Sequence, residues 1–336
     1  MAAHKVPGIY PHRENVMKNA FVVMGGLLAI GLVLTSGCNK NNGPTSSTGS
    51  TQSGTIAALE SLAASDSLVQ NDDVTFADNS IQTTDYGSLT KTDSAITPLR
   101  WGRFINSVTR TMNTTIEPGD TLAVVTINKT IVGVFKIQYA TGSGDTTISK
   151  PFQDKSVRNL VMKRAKVDTT RWYSVATSLV AGGTNPAPAG NAINITQVQV
   201  FFPNDTVTVT DPTNYYLHYL WENFFTWGRV EVPMVHGGDK VTIQATVVSA
   251  SSDTDLVALR YGFLSLIAPG RRQHMTLISQ ASNGDGTFTR VYQTVWHVHF
   301  HFGFFNAGID AVTRGTLYDN TLPYSASWWG IPYRVW

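Results

Sequence analysis

An all-β fold of two tandem sandwiches is predicted for this 336-residue chain. Three observations predict it. From Pro98 onward, β-branched and aromatic residues recur in short runs at strand spacing, as in Asp120 to Gln138 (DTLAVVTINKTIVGVFKIQ). Turn clusters such as Gly142–Asp145, Gly182–Gly190 and Asn283–Gly286 punctuate those runs, with Gly and Asn supplying positive φ. The last third then holds candidate strands at Arg229–Met234, Lys240–Ser249, Leu256–Phe263, His274–Ser279, Thr287–Thr294, Trp296–Phe305 and Trp328–Val335, the spacing of a sandwich.

The chain begins with a different kind of segment. Met17 to Cys38 reads MKNAFVVMGGLLAIGLVLTSGC: a positive Lys18, an apolar run from Phe21 to Leu34, then small residues before the only cysteine. The run is shorter than the roughly 20 apolar residues of a membrane span. Leu34-Thr35-Ser36-Gly37-Cys38 resembles the lipobox of bacterial lipoproteins, with Thr35 where that pattern usually has Leu. The resemblance implies cleavage before Cys38 and a diacylglyceryl group on its thiol. The membrane is then a partner, and residues 1–37 are a signal peptide starting in effect at Met17. Asn39 resembles the type sorted to the outer membrane.

Cleavage there removes Lys5, Arg13, Lys18 and one acid, Glu14, from totals of 25 basic and 23 acidic residues. The remainder balances to zero, which excludes the basic footprint of a nucleic-acid binder. With Cys38 lipidated no disulfide is available, so core burial must carry stability.

Residues 38–54, rich in Ser, Thr, Gly and Asn, read as the lipidated cysteine and a flexible tether with a reach of about 20–25 Å. One short helix is expected in Thr55–Leu68, where Ile56, Leu59, Leu62 and Ala63 have helical spacing, within a 55–97 segment that is otherwise irregular. The first sandwich is placed at 98–226. Its strands are the 120–138 run, as two strands turned at Asn128-Lys129 or one kinked strand, then a hairpin of 150–166 with Trp172–Val180. Ile193–Phe202 and Thr206–Thr210 follow. The second sandwich is placed at 227–336. The recurrence of Trp101-Gly102-Arg103 as Trp227-Gly228-Arg229 supports that division. From Lys240 the chain resembles an immunoglobulin-like module of bacterial surface proteins. KVTIQATVVS stands as the B-like strand, Leu259–Phe263 as the C-like strand, the histidine-bearing stretch as the F-like strand and Gly330–Tyr333 in the last one. That resemblance implies a fold and no particular activity.

Three surfaces are candidates for function. On a regular strand His297, His299 and His301 share one face, with Trp296, Val298, Phe300 and Phe302 on the core side. Such a row offers a two-imidazole bite for Zn or Cu, with His274 a conceivable further ligand. Trp328, Trp329, Trp221 and Tyr219 are candidates for stacking on sugar rings. Asp253 and Asp255 are the nearest carboxylate pair and read as solvated loop; Lys155, Arg158, Lys163, Arg164, Lys166 and Arg171 read as the outer face of a hairpin. No Gly-rich phosphate loop, His-Glu-x-x-His helix or nucleophile elbow occurs. The sequence therefore predicts a cell-envelope lipoprotein acting as a non-catalytic binding or structural module, with no cofactor and with polysaccharide or another surface protein as the soluble partner. The alternatives are a Zn or Cu protein using the histidine row and a carbohydrate-binding protein using the aromatic rings.

Overall fold

The longest alternating run of the sequence makes the longest strands. A computed structural model describes residues 48–71, 76–78, 82–83, 97–141, 144–202, 206–220, 229–230, 233–263 and 271–336. Cys38, Trp221 and the second Trp-Gly of the internal repeat lie outside them. The described residues open with helices α1 (Thr48–Ser65) and α2 (Ser67–Asn71) and a short β1 (Gln82–Thr83). Then come β2 (Thr97–Ile116), β3 (Leu122–Thr141) and β4 (Gly144–Arg164), an antiparallel meander of strands twenty residues long or more. On β3, Ala123, Val125, Ile127, Ile131, Phe135, Ile137 and Tyr139 alternate onto one buried face, as period-two geometry requires.

Asn128-Lys129 does not turn the chain. Both residues stay in register with β2 and β4, so the ladder runs on through them. Lys129 is buried, and its ammonium donates to the Val69 carbonyl of α2. The helix is longer than expected: α1 begins at Thr48, inside the segment read as tether. At Asp66 the helical run breaks, and the Asp66 carboxylate accepts from the Leu68 backbone N–H (3.0 Å), capping α2. Leu59, Ala63 and Val69 close over Ala123, Val125, Ile127, Leu160 and Met162 as a satellite core.

The remaining elements are β5 (Trp172–Ser178), β6 (Val180–Thr184), β7 (Ile193–Phe201), β8 (Thr206–Val209), β9 (Tyr216–Leu220), β10 (Arg229–Val230), β11 (Met234–Val235) and β12 (Lys240–Ser249). β13 (Leu256–Phe263), β14 (Arg271–His274), β15 (Thr276–Ser282), β16 (Phe288–His297), β17 (Gly303–Val312), α3 (Arg314–Tyr318) and β18 (Ala326–Val335) complete the chain. The fold is all-β, as predicted, in two sheets. The larger runs β1-β2-β3-β4-β6-β18-β17-β13-β14, with β5, β9 and β10 branching from β4. The smaller runs β15-β16-β12-β7-β8. Between them lies the main core, which includes Val241, Ile243, Ala245, Val247, Ile309, Trp329 and Tyr333. The predicted hairpin β4–β5 and the turn at Asn283–Gly286 are present. Among the described residues no helix is long and apolar enough to cross a membrane.

The expected division after residue 226 is crossed by both sheets. β7 pairs with β12 in the smaller sheet, and β6 pairs with β18 in the larger. Residues 47–336 form one compact unit. The physical reason is edge satisfaction: β12 and β18 use strands from the first half to pair their open sides. One parallel pair, β11 on β18, stands among otherwise antiparallel ladders.

The larger sheet curls until its two ends meet, and charge holds the seam. Arg103 on β2 makes a bidentate pair with Asp310 on β17 (2.6 and 2.8 Å) and donates Nε–H to the Tyr324 hydroxyl at 2.6 Å. Asp78 accepts from the Arg103 backbone N–H and from Arg260 Nη2, each at 2.6 Å, and it also pairs with Arg272. Arg272 on β14 lies 3.5 Å over the Trp101 ring and donates to the Trp101 carbonyl (3.1 Å). Tyr324 and Trp328 donate in turn to Asp154 on β4 (3.1 and 3.2 Å). Three arginines thus balance three aspartates in the dry interior, beside Phe76, Trp101, Phe135 and Trp328. Burial pushes the Asp154 carboxyl up in spite of Arg103. At Asp310 burial pushes the same way, but Arg103, Arg260 and Arg272 together hold it below the usual carboxylate range. Burial lowers Arg272 to about 10.

Removing one partner of such a cluster strands the others. Asp310→Ala is expected to lower the unfolding free energy by about 3–5 kcal/mol in a urea titration. An exposed control such as Lys166→Ala is expected to change it by about 0.5 kcal/mol or less. A loss at Asp310 no larger than the control would show that the seam is held by packing alone.

Candidate functional site: an aromatic sandwich end

The histidine stretch does not form one strand. β16 stops at His297 and β17 begins at Gly303, so residues 298–302 turn between them. The expected separation of an imidazole face from an aromatic core face therefore fails beyond Val298. Trp296 and Val298 are buried, but Phe300 and Phe302 are 75% and 78% exposed. The stretch expected as one F-like strand is thus split between β16 and β17, and β17 carries none of these histidines. Backbone geometry forces the change. Val298 N–H donates to the Asp239 carbonyl, Gly238 N–H donates back to Val298, and Gly303 at φ 140° redirects the chain into β17.

His297 and His301 are exposed, whereas His299 turns inward against Phe305, ring centroids 4.3 Å apart. Its Nε2 lies 3.0 Å from the Tyr333 hydroxyl. That hydroxyl already accepts the Gly262 backbone N–H at 3.1 Å, so its own proton is free to go to Nε2 of a neutral imidazole. Burial lowers the His299 pKa, with the nearby His301 and Arg271 acting in the same direction. His274 stands on β14, and burial lowers its pKa too. Among the described residues no three His, Cys, Asp or Glu side chains are grouped to hold a metal.

The sugar-stacking candidates sit elsewhere than expected. Trp328 and Trp329 are interior residues, 0% and 4% exposed, so neither presents a ring face to solvent. Trp328 stacks on Phe76 with centroids 4.1 Å apart and fills the space over Gly182, where a Cβ would lie 2.2 Å from the indole. Tyr219 is half-buried, and its hydroxyl is hydrogen-bonded to Asp66. Asp255, read as solvated, is buried. It takes a 2.9 Å hydrogen bond from Arg290, yet burial still raises its carboxyl to about 6. Asp253 remains exposed and pairs with Arg314 at 3.4 Å. In the basic run Arg158 is buried, donating to Thr177, and Arg164 stacks on Trp172.

What the fold leaves open is the end of the sandwich beside the histidine loop. Phe300 packs its ring edge against Gly237 and Gly238; a Cβ at Gly237 would stand 2.9 Å from its ring. Phe304 on β17 pairs across to Arg334 on β18, and Met234 on β11 pairs with Arg334 from the other side. The Arg334 guanidinium lies over both Phe304 (5.3 Å) and the C-terminal Trp336 (4.6 Å). Phe302, Phe304, Arg334 and Trp336 line a groove of about 540 Å³. Met234 and Trp336 are more than half exposed. The alternation His-Phe-His-Phe was read for its histidines, although its phenylalanines carry the site. The usable signal was Gly237-Gly238, which marks a surface where a ring lies on backbone.

Two further cavities hold no acid–base pair. A groove of about 530 Å³ beside β6 and β7 has Lys155 as its one ionisable lining residue. A cavity of about 50 Å³ between the sheets is wholly apolar. Comparison with family models, with curated proteins and with solved structures returned no match.

The lowered pKa of His299 sets a pH dependence. The unfolded chain takes up a proton near pH 6.5 that the folded ring resists. The stability from this group is full above about 6.5 and is lost as pH falls through the lower folded value. His299→Gln is expected to show a smaller drop in denaturation midpoint between about pH 7 and pH 5 than the parent chain. An unchanged drop would place the effect on other groups such as His274.

Proposed function

We propose that the chain is an exported, lipid-anchored protein of the cell envelope that acts as a non-catalytic binding or structural module, with the aromatic sandwich end as its contact surface. The observation that carries this reading is the exposed group Phe300, Phe302, Phe304, Trp336 and Met234. Large apolar side chains gathered on one surface of a folded domain mark an interaction site. The address comes from the sequence of Met17–Cys38, with its apolar run and lipobox-like end. Its charged groups also favour binding over catalysis. Arg103, Arg260, Arg290, Asp78, Asp255 and Asp310 are committed to buried ion pairs and line none of the described cavities.

The address is tested at Cys38. In cells fed labelled palmitate the chain is expected to take up label and fractionate with membranes, and Cys38→Ala is expected to lose the label. Labelling that persists in Cys38→Ala would end the lipoprotein reading.

A further inference from the structure

We infer that the aromatic sandwich end seats on the phospholipid bilayer to which Cys38 tethers the chain, a proposal that rests on the reading above. Two independent features point to lipid as the occupant.

The first is chemistry. Phe300 and Phe302 stand exposed on the 298–302 loop, next to Phe304, Trp336 and Met234. The charged side chain lining their groove is Arg334, which lies over two of the rings. A bilayer interface offers the matching layers: acyl chain and glycerol for the rings, phosphate for a guanidinium kept at the rim. His297 and His301 flank the loop and add no negative charge. Phe300 touches Gly237-Gly238 and still stays largely exposed.

The second is direction. β6 runs antiparallel to β4 and to β18, so β4 and β18 run the same way. β4 finishes opposite the start of β3, since Leu122 pairs with Lys163. α1, where the chain enters from the anchor side, packs on those first residues of β3 through Leu59 and Ala63. β18 finishes at Val335, opposite Gly303. The last turns of α1 and the aromatic group therefore lie toward the same end of the strands. Nine residues separate Cys38 from Thr48. A tether that short raises the effective concentration of the rings at the membrane, so weak contacts suffice to hold them there.

The test places a reporter on the full chain in phospholipid vesicles. A solvent-sensitive fluorophore is attached at Phe302→Cys. A control label is attached at Ser252→Cys, in the exposed loop after β12. Lys240 at the start of β12 pairs with His297, so Ser252 lies about 30 Å along the strand direction from the loop. Both sites are exposed, and unfolding curves check that each variant keeps the parent midpoint. Quenching by spin-labelled lipid is expected to be at least about threefold stronger at 302 than at 252, with blue-shifted emission at 302. Equal, weak quenching at both sites would overturn the seating. Blue-shifted emission at 302 that ignores the spin label and grows with protein concentration would also overturn it, in favour of a second copy on the same surface. The lipidation reading is scored separately. A thiol of the unsubstituted chain that reacts with maleimide shows Cys38 to be free, and the labelled variants then carry Cys38→Ser as well.

Discussion

The structure depends on the pairing of Arg103 with Asp310 across the seam where the larger sheet meets itself. Taking six charges out of water costs several kcal/mol per ion unless every one finds its partner. Here the partners come from β2, β4, β13, β14 and β17 and from the segment at 76–78, so the cost is met only when all of them are in place. An apolar interior tolerates sliding and repacking. A closed set of fork-shaped donors and carboxylates does not, because a shift of one residue would leave a guanidinium dry and unpaired. The same constraint binds the two halves of the chain, since Arg103 and Arg260 share Asp310 from opposite sides of the expected boundary.

Much of the architecture was legible, because strand periodicity and turn chemistry are local. Lys240–Ser249 and Leu256–Phe263 are strands at the bounds their alternation implies, and the Asn-Gly-Asp-Gly turn does what its positive-φ residues require. The pairing of β7 with β12 and of β6 with β18 was not legible, since nothing in a strand's own sequence states which distant edge will complete it. The buried cluster was hidden for a related reason. Arg103 and Arg260 look like surface residues until their carboxylates, far off in the chain, are brought alongside. Asp255 misled in the same way, as a loop aspartate that folds inward onto Arg290. At the candidate site the residues were seen and their geometry was not. A strand at 296–302 would have hidden Phe300 and Phe302, and the turn exposes them.

The division of labour between buried and exposed side chains follows. Polar groups drawn inside fix shape: the arginine–aspartate seam, Lys150 on the Asp319 and Leu322 carbonyls just after α3, and Tyr139 on the Leu317 carbonyl. Burial lowers the Lys150 pKa to about 8, against the opposing pull of the Asp319 carboxylate. At the sandwich end beside residues 298–302 the exposed side chains are largely apolar and aromatic, with the Arg334 guanidinium among the rings.

β18 is the last of the described strands and, like β4, pairs with three others (β17, β6 and β11), and it places Trp328 and Trp329 in two different cores. Synthesis proceeds from the N-terminus, so residues 326–335 emerge after every strand they must join. Until then β6 and β17 have no common neighbour, and the curled sheet cannot close on its charges. The meander of β2, β3 and β4 can pair locally meanwhile, but the contacts of high sequence separation wait for the tail. Closure of the curled sheet is therefore a late step set by topology, because the strand that joins its two sides is encoded after both of them.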